Sequence, residues 1–110
     1  MAQLALNKFQ TETFDITTSE QTVYTAPTGY TAIVLYAHIT NLTGSYATVS
    51  MYHNRASTQT ELIVGATVPG NDAYIPLDGK LVLETSDYLS IAGSANSTLK
   101  LILSILETAN

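Results

Sequence analysis

Apolar residues in this chain recur at every second position in short runs, and turn-forming residues interrupt the runs at close intervals, the signature of half-buried β-strands. No stretch sustains an apolar stripe at helical spacing. The alternation predicts strands over residues 21–26, 30–41, 46–54, 60–68, 73–77, 80–84, 87–93 and 98–107, with one further segment within 2–14. Their separators are turn chemistry: Pro27-Thr28-Gly29, Pro69-Gly70-Asn71-Asp72, Asp78-Gly79, Ser86-Asp87 and Gly93-Ser94-Ala95-Asn96-Ser97.

In the 30–41 strand, Ile33, Leu35 and Ile39 fall on one face and Ala32, Val34, Tyr36 and His38 on the other. Two apolar faces predict a central strand. The 46–54 strand sets Ala47, Val49, Met51 and His53 against Thr48, Ser50, Tyr52 and Asn54, and Leu42-Thr43-Gly44-Ser45 between the two strands reads as a tight hairpin. Residues 99–106 are apolar on both faces except at Lys100 and Ser104, so this strand is expected to be central or covered by a neighbouring subunit. The expected fold is all-β, an antiparallel two-sheet sandwich, jelly-roll-like, of eight to nine short strands. Residues 1–20 are more polar and read as an N-terminal arm or edge segment, with residues 21–110 as a single β-sandwich domain.

Composition adds a constraint. The chain has 110 residues, of which 45% are hydrophobic and only 12% charged, about half the usual charged share. Thr, Ser, Asn, Ala and Tyr cover the rest of the surface, and these residues lose little on burial at a permanent interface. A chain of this length supports one core, and with no Cys there is neither a disulfide framework nor a thiolate site to reinforce it. Self-association is the remaining support, and a homo-oligomer, in finest form a trimer, is expected.

The net charge is −5, and the four basic residues, Lys8, Arg55, Lys80 and Lys100, are dispersed, which argues against a nucleic-acid surface. No apolar run reaches membrane-spanning length and the first residues lack a signal-peptide pattern, so synthesis in a cytoplasm without membrane insertion is expected. The sequons Asn41-Leu42-Thr43 and Asn96-Ser97-Thr98 are accordingly expected to stay unglycosylated.

Candidate chemistry is sparse. His38 and His53 both fall inside predicted strands, where a hydrogen-bonded structural role outweighs a catalytic or metal-binding one. Asp72, Asp78 and Asp87 occupy turns without the spacing of a Ca²⁺ loop, no Ser stands in a Gly-x-Ser-x-Gly elbow, and the glycines are scattered singly. No catalytic residue, metal site or cofactor is assigned. The seven tyrosines, without a Trp to stack on sugar, fit packing and protein interfaces better than a carbohydrate cleft.

The segment Val23-Tyr24-Thr25-Ala26-Pro27-Thr28-Gly29-Tyr30-Thr31-Ala32-Ile33-Val34, followed by Gly44-Ser45-Tyr46-Ala47-Thr48-Val49, resembles a pattern in small structural proteins of tailed bacteriophages. Pro76-Leu77-Asp78-Gly79-Lys80-Leu81-Val82-Leu83-Glu84 and then Asp87-Tyr88-Leu89-Ser90-Ile91 extend the resemblance, which covers about residues 20–107. It implies a non-enzymatic β-sandwich of the virion: a capsid decoration (cement) protein bound to the major capsid protein, or alternatively a tail, baseplate or fibre module. A carbohydrate-binding module is the competing class. In the segment outside the resemblance, Leu4, Leu6 and Phe9 are the expected anchors to a partner subunit or capsid.

Overall fold

Nine strands and no helix make up the described residues, 7–110, of the computed structural model. In chain order they are β1 (Asn7–Ile16), β2 (Gln21–Thr25), β3 (Tyr30–Asn41), β4 (Ala47–Arg55), β5 (Thr58–Val68), β6 (Ala73–Tyr74), β7 (Leu81–Leu83), β8 (Tyr88–Gly93) and β9 (Leu99–Ala109). One sheet runs β1-β9-β3-β6, with β7 also paired to β3, and the other runs β2-β8-β4-β5. All pairings are antiparallel. Apart from the β4–β5 hairpin, successive strands cross between the sheets in jelly-roll order, with β6 and β7 as two pieces of one interrupted strand. The interruption spans Pro76, which cannot donate to a ladder, so the 73–77 segment pairs over two residues only.

The expected sandwich is therefore the observed one, with β3 and β9 central in the first sheet. β9 buries Leu99, Leu101, Leu103 and Ile105 on alternate positions, and these meet Val49 and Met51 of β4 and Leu89 and Ile91 of β8 in one core. β1 lies at the edge, paired with β9 along its whole length from Asn7↔Thr108 to Ile16↔Leu99.

Two details differ from the periodicity. The ladder of β3 with β9 slips between Val34 and Tyr36, leaving Leu35 as an extra residue. A bulge reverses which face later residues occupy, so Ala32 and Val34 point inward before it and Ala37, Ile39 and Asn41 after it. Ile39 thus lies opposite in facing to Ile33, not beside it. Second, residues 42–46 are not a hairpin, because β3 and β4 belong to different sheets. This segment is an arch across the top of the sandwich. Asn41, fully buried, holds it by donating through Nδ2 to the carbonyls of Ser45 at 2.9 Å and Val68 at 3.0 Å. Its Oδ1 accepts from the Thr43 N–H at 2.9 Å and the Thr43 hydroxyl at 3.0 Å.

The tight hairpin lies instead between β4 and β5, where Arg55 pairs with Thr58 across a loop of Ala56 and Ser57. Ala56 has φ of 53°, a conformation that normally selects glycine at the first position of a two-residue loop. Ala56→Gly is therefore expected to stabilise the fold by about 0.5–1 kcal/mol, read as a rise of a few degrees in Tm. An unchanged or lower Tm would contradict the strain at Ala56. At its other end β5, an edge strand, is twice bulged against β4, and Gly65 with φ of 61° supplies one of the irregular positions. Such bulges spoil an edge as a template for another strand.

Candidate interaction surface

The alternation that buries one side of β9 turns the other side outward, where Ile102 and Leu106 stand beside Lys100, Ser104 and Thr108. Leu106 stands between Phe9 of β1 and Ile33 of β3 in the hydrogen-bonding register, and Ile33 is in turn opposite Val82 of β7. These four side chains form one cross-strand row on the outer face of the five-stranded sheet. Phe9 is 72% and Val82 52% exposed, and Leu106 and Ile33 are half-buried. Three further rows follow along the strands: Thr11–Ser104–Tyr36, Thr13–Ile102–His38, and Asp15–Lys100–Thr40–Ala73. Tyr36 and His38 stack with ring centroids 5.8 Å apart. Tyr36 is exposed because the gap between β6 and β7 leaves this stretch of β3 without an outer neighbour.

Charge is almost absent across these rows. Asp15 and Lys100 contribute one exposed ion pair, at 3.7 Å, in the last row. Two shallow grooves cut the face, one of about 350 Å³ between Phe9 and Leu35 and one of about 430 Å³ beside His38, Thr40 and Lys100. The opposite outer face differs in kind. There Ser90 donates to Glu20 at 2.7 Å, Asn54 donates to Ser90 at 3.0 Å, and Gln59 donates to both Glu20 and Asn54 at 2.9 Å. That network ties up part of the second sheet, where Val64 of β5 is nonetheless 70% exposed; what distinguishes the first face is the continuous apolar row from Phe9 through Leu106 and Ile33 to Val82.

The remaining polar groups are engaged in holding the fold. Asp87, buried, receives Arg55 through Nε at 3.0 Å and Nη2 at 2.7 Å, the Glu84 N–H at 3.0 Å, and His53 Nε2 at 3.3 Å. The Arg55 guanidinium, followed by the Glu84 amide, holds the Asp87 carboxyl below the usual carboxylate range despite its burial. Between the sheets, Glu107 accepts from the Tyr24 hydroxyl and from Gln10 Nε2 at 2.7 Å. Burial, reinforced by that hydrogen bond to Glu107, raises the Tyr24 phenol well above its ordinary value. Asp72 accepts the N–H of its neighbour Ala73, as a turn aspartate does. Among the described residues no group of three or more His, Asp or Glu side chains is placed to hold a metal ion.

Of the anchors expected from sequence, Phe9 stands on the apolar row, and Leu4 and Leu6 lie outside the described residues. The sequence reading did not assign Ile33, Val82, Leu106, Ile102 or Tyr36 to a surface. The signal for Leu106 and Ile102 was present in the two-sided apolarity of residues 99–106. For Ile33 it was hidden by the bulge at Leu35.

No family model matches the sequence, and no curated protein sequence matches it. Solved structures do share the fold. A chain of the acidic stable capsid of Helicobacter pylori bacteriophage KHP30 superposes with a TM-score of 0.56 at 11% identity, over 94% of this chain and 88% of that one. A chain of the disulfide-linked pili of Bacillus endospore appendages does so at 0.53 and 13%, over 100% and 98%. A chain of the T13 IBDV viral particle gives 0.55 at 10%, over 96% of this chain and 32% of that one. At these identities the likeness is one of fold.

Proposed function

We propose that this protein is a non-enzymatic structural subunit of a bacteriophage virion, and in its most specific form a capsid decoration (cement) protein that binds the major capsid protein. The observation that carries the reading is the outer face of the five-stranded sheet, where Phe9, Leu106, Ile33 and Val82 lie side by side with almost no charge. Exposed apolar rows of this kind are characteristic of assembly surfaces. Subunits of a phage capsid and of a viral particle share the fold, which supports the choice of a particle. The pili with this fold are described as disulfide-linked, and that mode of linkage is closed to a chain without cysteine.

The reading needs no catalytic group. His53 is held by Asp87 and His38 is stacked on Tyr36, so both histidines have structural work. Acting as cement, the subunit would add buried area between neighbouring capsid proteins.

Quantitative mass spectrometry of purified particles from the source culture tests the proposal. Hundreds of copies per particle support the decoration role. Tens or fewer would move the protein to tail, baseplate or fibre, and absence from particles in cells that express it would overturn the reading.

A further inference from the structure

The outer face of the five-stranded sheet is nearly uncharged and, row by row, complementary to itself. We infer that it packs face to face on a second copy of the chain, about a two-fold axis lying in the interface between β9 and β3 and parallel to them. This rests on the reading of the face as an assembly surface and assigns that surface to self-association, so that contact with capsid proteins would fall to the other surfaces of the pair.

Register and charge select the arrangement. An axis along the strands keeps each row at its own height and exchanges its ends. Phe9 then meets the partner's Val82, Leu106 meets the partner's Ile33, and Ile102 meets the partner's His38. In the last row Lys100 meets the partner's Thr40 and Asp15 the partner's Ala73, so no like charges are opposed and the ion pair stays at the rim. An in-plane axis across the strands would instead set Leu106 over the partner's Lys100, burying an ammonium against the apolar row. The net charge of −5 resides elsewhere, chiefly at exposed positions such as Glu20, Glu61, Asp72, Asp78 and Glu84, so close approach of two such faces meets little repulsion.

The area is sufficient. Four strand positions of about 4.8 Å spacing and ten residues of about 3.4 Å give a face on the order of 600 Å² in projection. Side-chain relief brings this near the roughly 800 Å² per partner of a stable interface. The pair would be two-fold, where the expectation from composition is a three-fold association.

Sedimentation velocity of the full chain at micromolar concentration is expected to give a dimer; only monomer, or a trimer, would overturn the inference. Phe9→Asp and Val82→Asp alter exposed side chains, and each is expected to weaken dimerisation at least about 30-fold, whereas Thr67→Asp on the opposite face leaves it unchanged. Equal effects at all three positions would overturn it. The register has its own check: in a Phe9→Cys/Val82→Cys variant, a short bis-maleimide should yield covalent dimers, because facing sheets lie about 10 Å apart, whereas within one chain the two positions are three strand spacings apart, roughly 14 Å. A dimer that does not crosslink would refute the axis. If the full chain is monomeric and dimerises only when residues 2–6 are removed, the face belongs to the chain's own N-terminus and the inference fails. A monomer found abundantly in particles would leave the virion role standing without the dimer, and a dimer absent from particles would do the reverse.

Discussion

Asn41→Ala is expected to lower stability by about 3 kcal/mol, because it removes the side chain that ties β3, the 42–46 arch and the end of β5 together. Each hydrogen bond is worth about 1 kcal/mol net, but a carbonyl left buried without a partner costs about 1–3 kcal/mol more. The Val68 carbonyl is fully buried and loses the Asn41 amide that reaches it across the sandwich, but its ladder pairing with Ala47 remains, so the cost is set by the sum of the four Asn41 bonds and not by an orphaned carbonyl. The Ser45 carbonyl keeps the Thr43 hydroxyl as a second donor, so the loss there is smaller. The same junction can be probed from its other side. Gly70 lies so close to the arch that a Cβ built on it would fall on the Gly44 carbonyl and stand 3.0 Å from the Ser45 nitrogen. Gly70→Ala must push backbone against backbone and should also destabilise, whereas Gly44→Ala, which would meet only the Asn71 side chain at 3.8 Å, should be tolerated. Urea denaturation of the three variants checks the account. An Asn41→Ala loss below about 1 kcal/mol would mean that water satisfies the arch and that its buried amide is dispensable.

Asn41 also shows where the sequence is readable. Alternation located β2, β3, β4, β8 and β9 to within a residue or two, because each packs one face on the core and its period of two is visible. Which strands pair was not visible. Leu42-Thr43-Gly44-Ser45 has the residues of a hairpin, and nothing local distinguishes a turn that joins neighbouring strands from an arch that changes sheets; the distinction is made by Val68, far along the chain. The hairpin that does exist, at Ala56-Ser57, lacks the expected glycine and so gave no signal. The interaction surface was partly legible for the same reason. Apolarity on both faces of residues 99–106 marked a strand with a second face to cover, yet the neighbours that complete its row, Ile33 and Val82, depend on a one-residue bulge and a three-residue strand. The 80–84 segment reads as a strand from its sequence, but neither its pairing with β3 nor the bulge leaves a local pattern.

Acid should weaken the Asp87 junction. The carboxylate is buried beneath Arg55, Glu84 and His53 and links the end of β4 to the 84–87 turn, while the main-chain carbonyl of the same residue separately accepts the Ala26 N–H at 2.9 Å. Its pKa is lower in the folded protein than the ordinary 3.8, chiefly because of the Arg55 hydrogen bonds. A depressed folded-state pKa means that the unfolded chain takes up the proton first. The stability from Asp87 is then complete above about pH 4 and is lost as pH falls from there through the lower folded value. Asp87→Asn keeps the shape and removes the charge, so at pH 7 it should cost about 1.5–3 kcal/mol, the worth of a hydrogen bond to a charged group. The difference between parent and variant should be constant from pH 7 to about pH 4 and shrink below it. Urea titrations at stepped pH measure this directly. A difference that stays constant down to pH 2 would show that Asp87 acts there through shape and neutral hydrogen bonds alone. A difference that already shrinks between pH 7 and 5 would show that a group other than Asp87 carries the pH dependence.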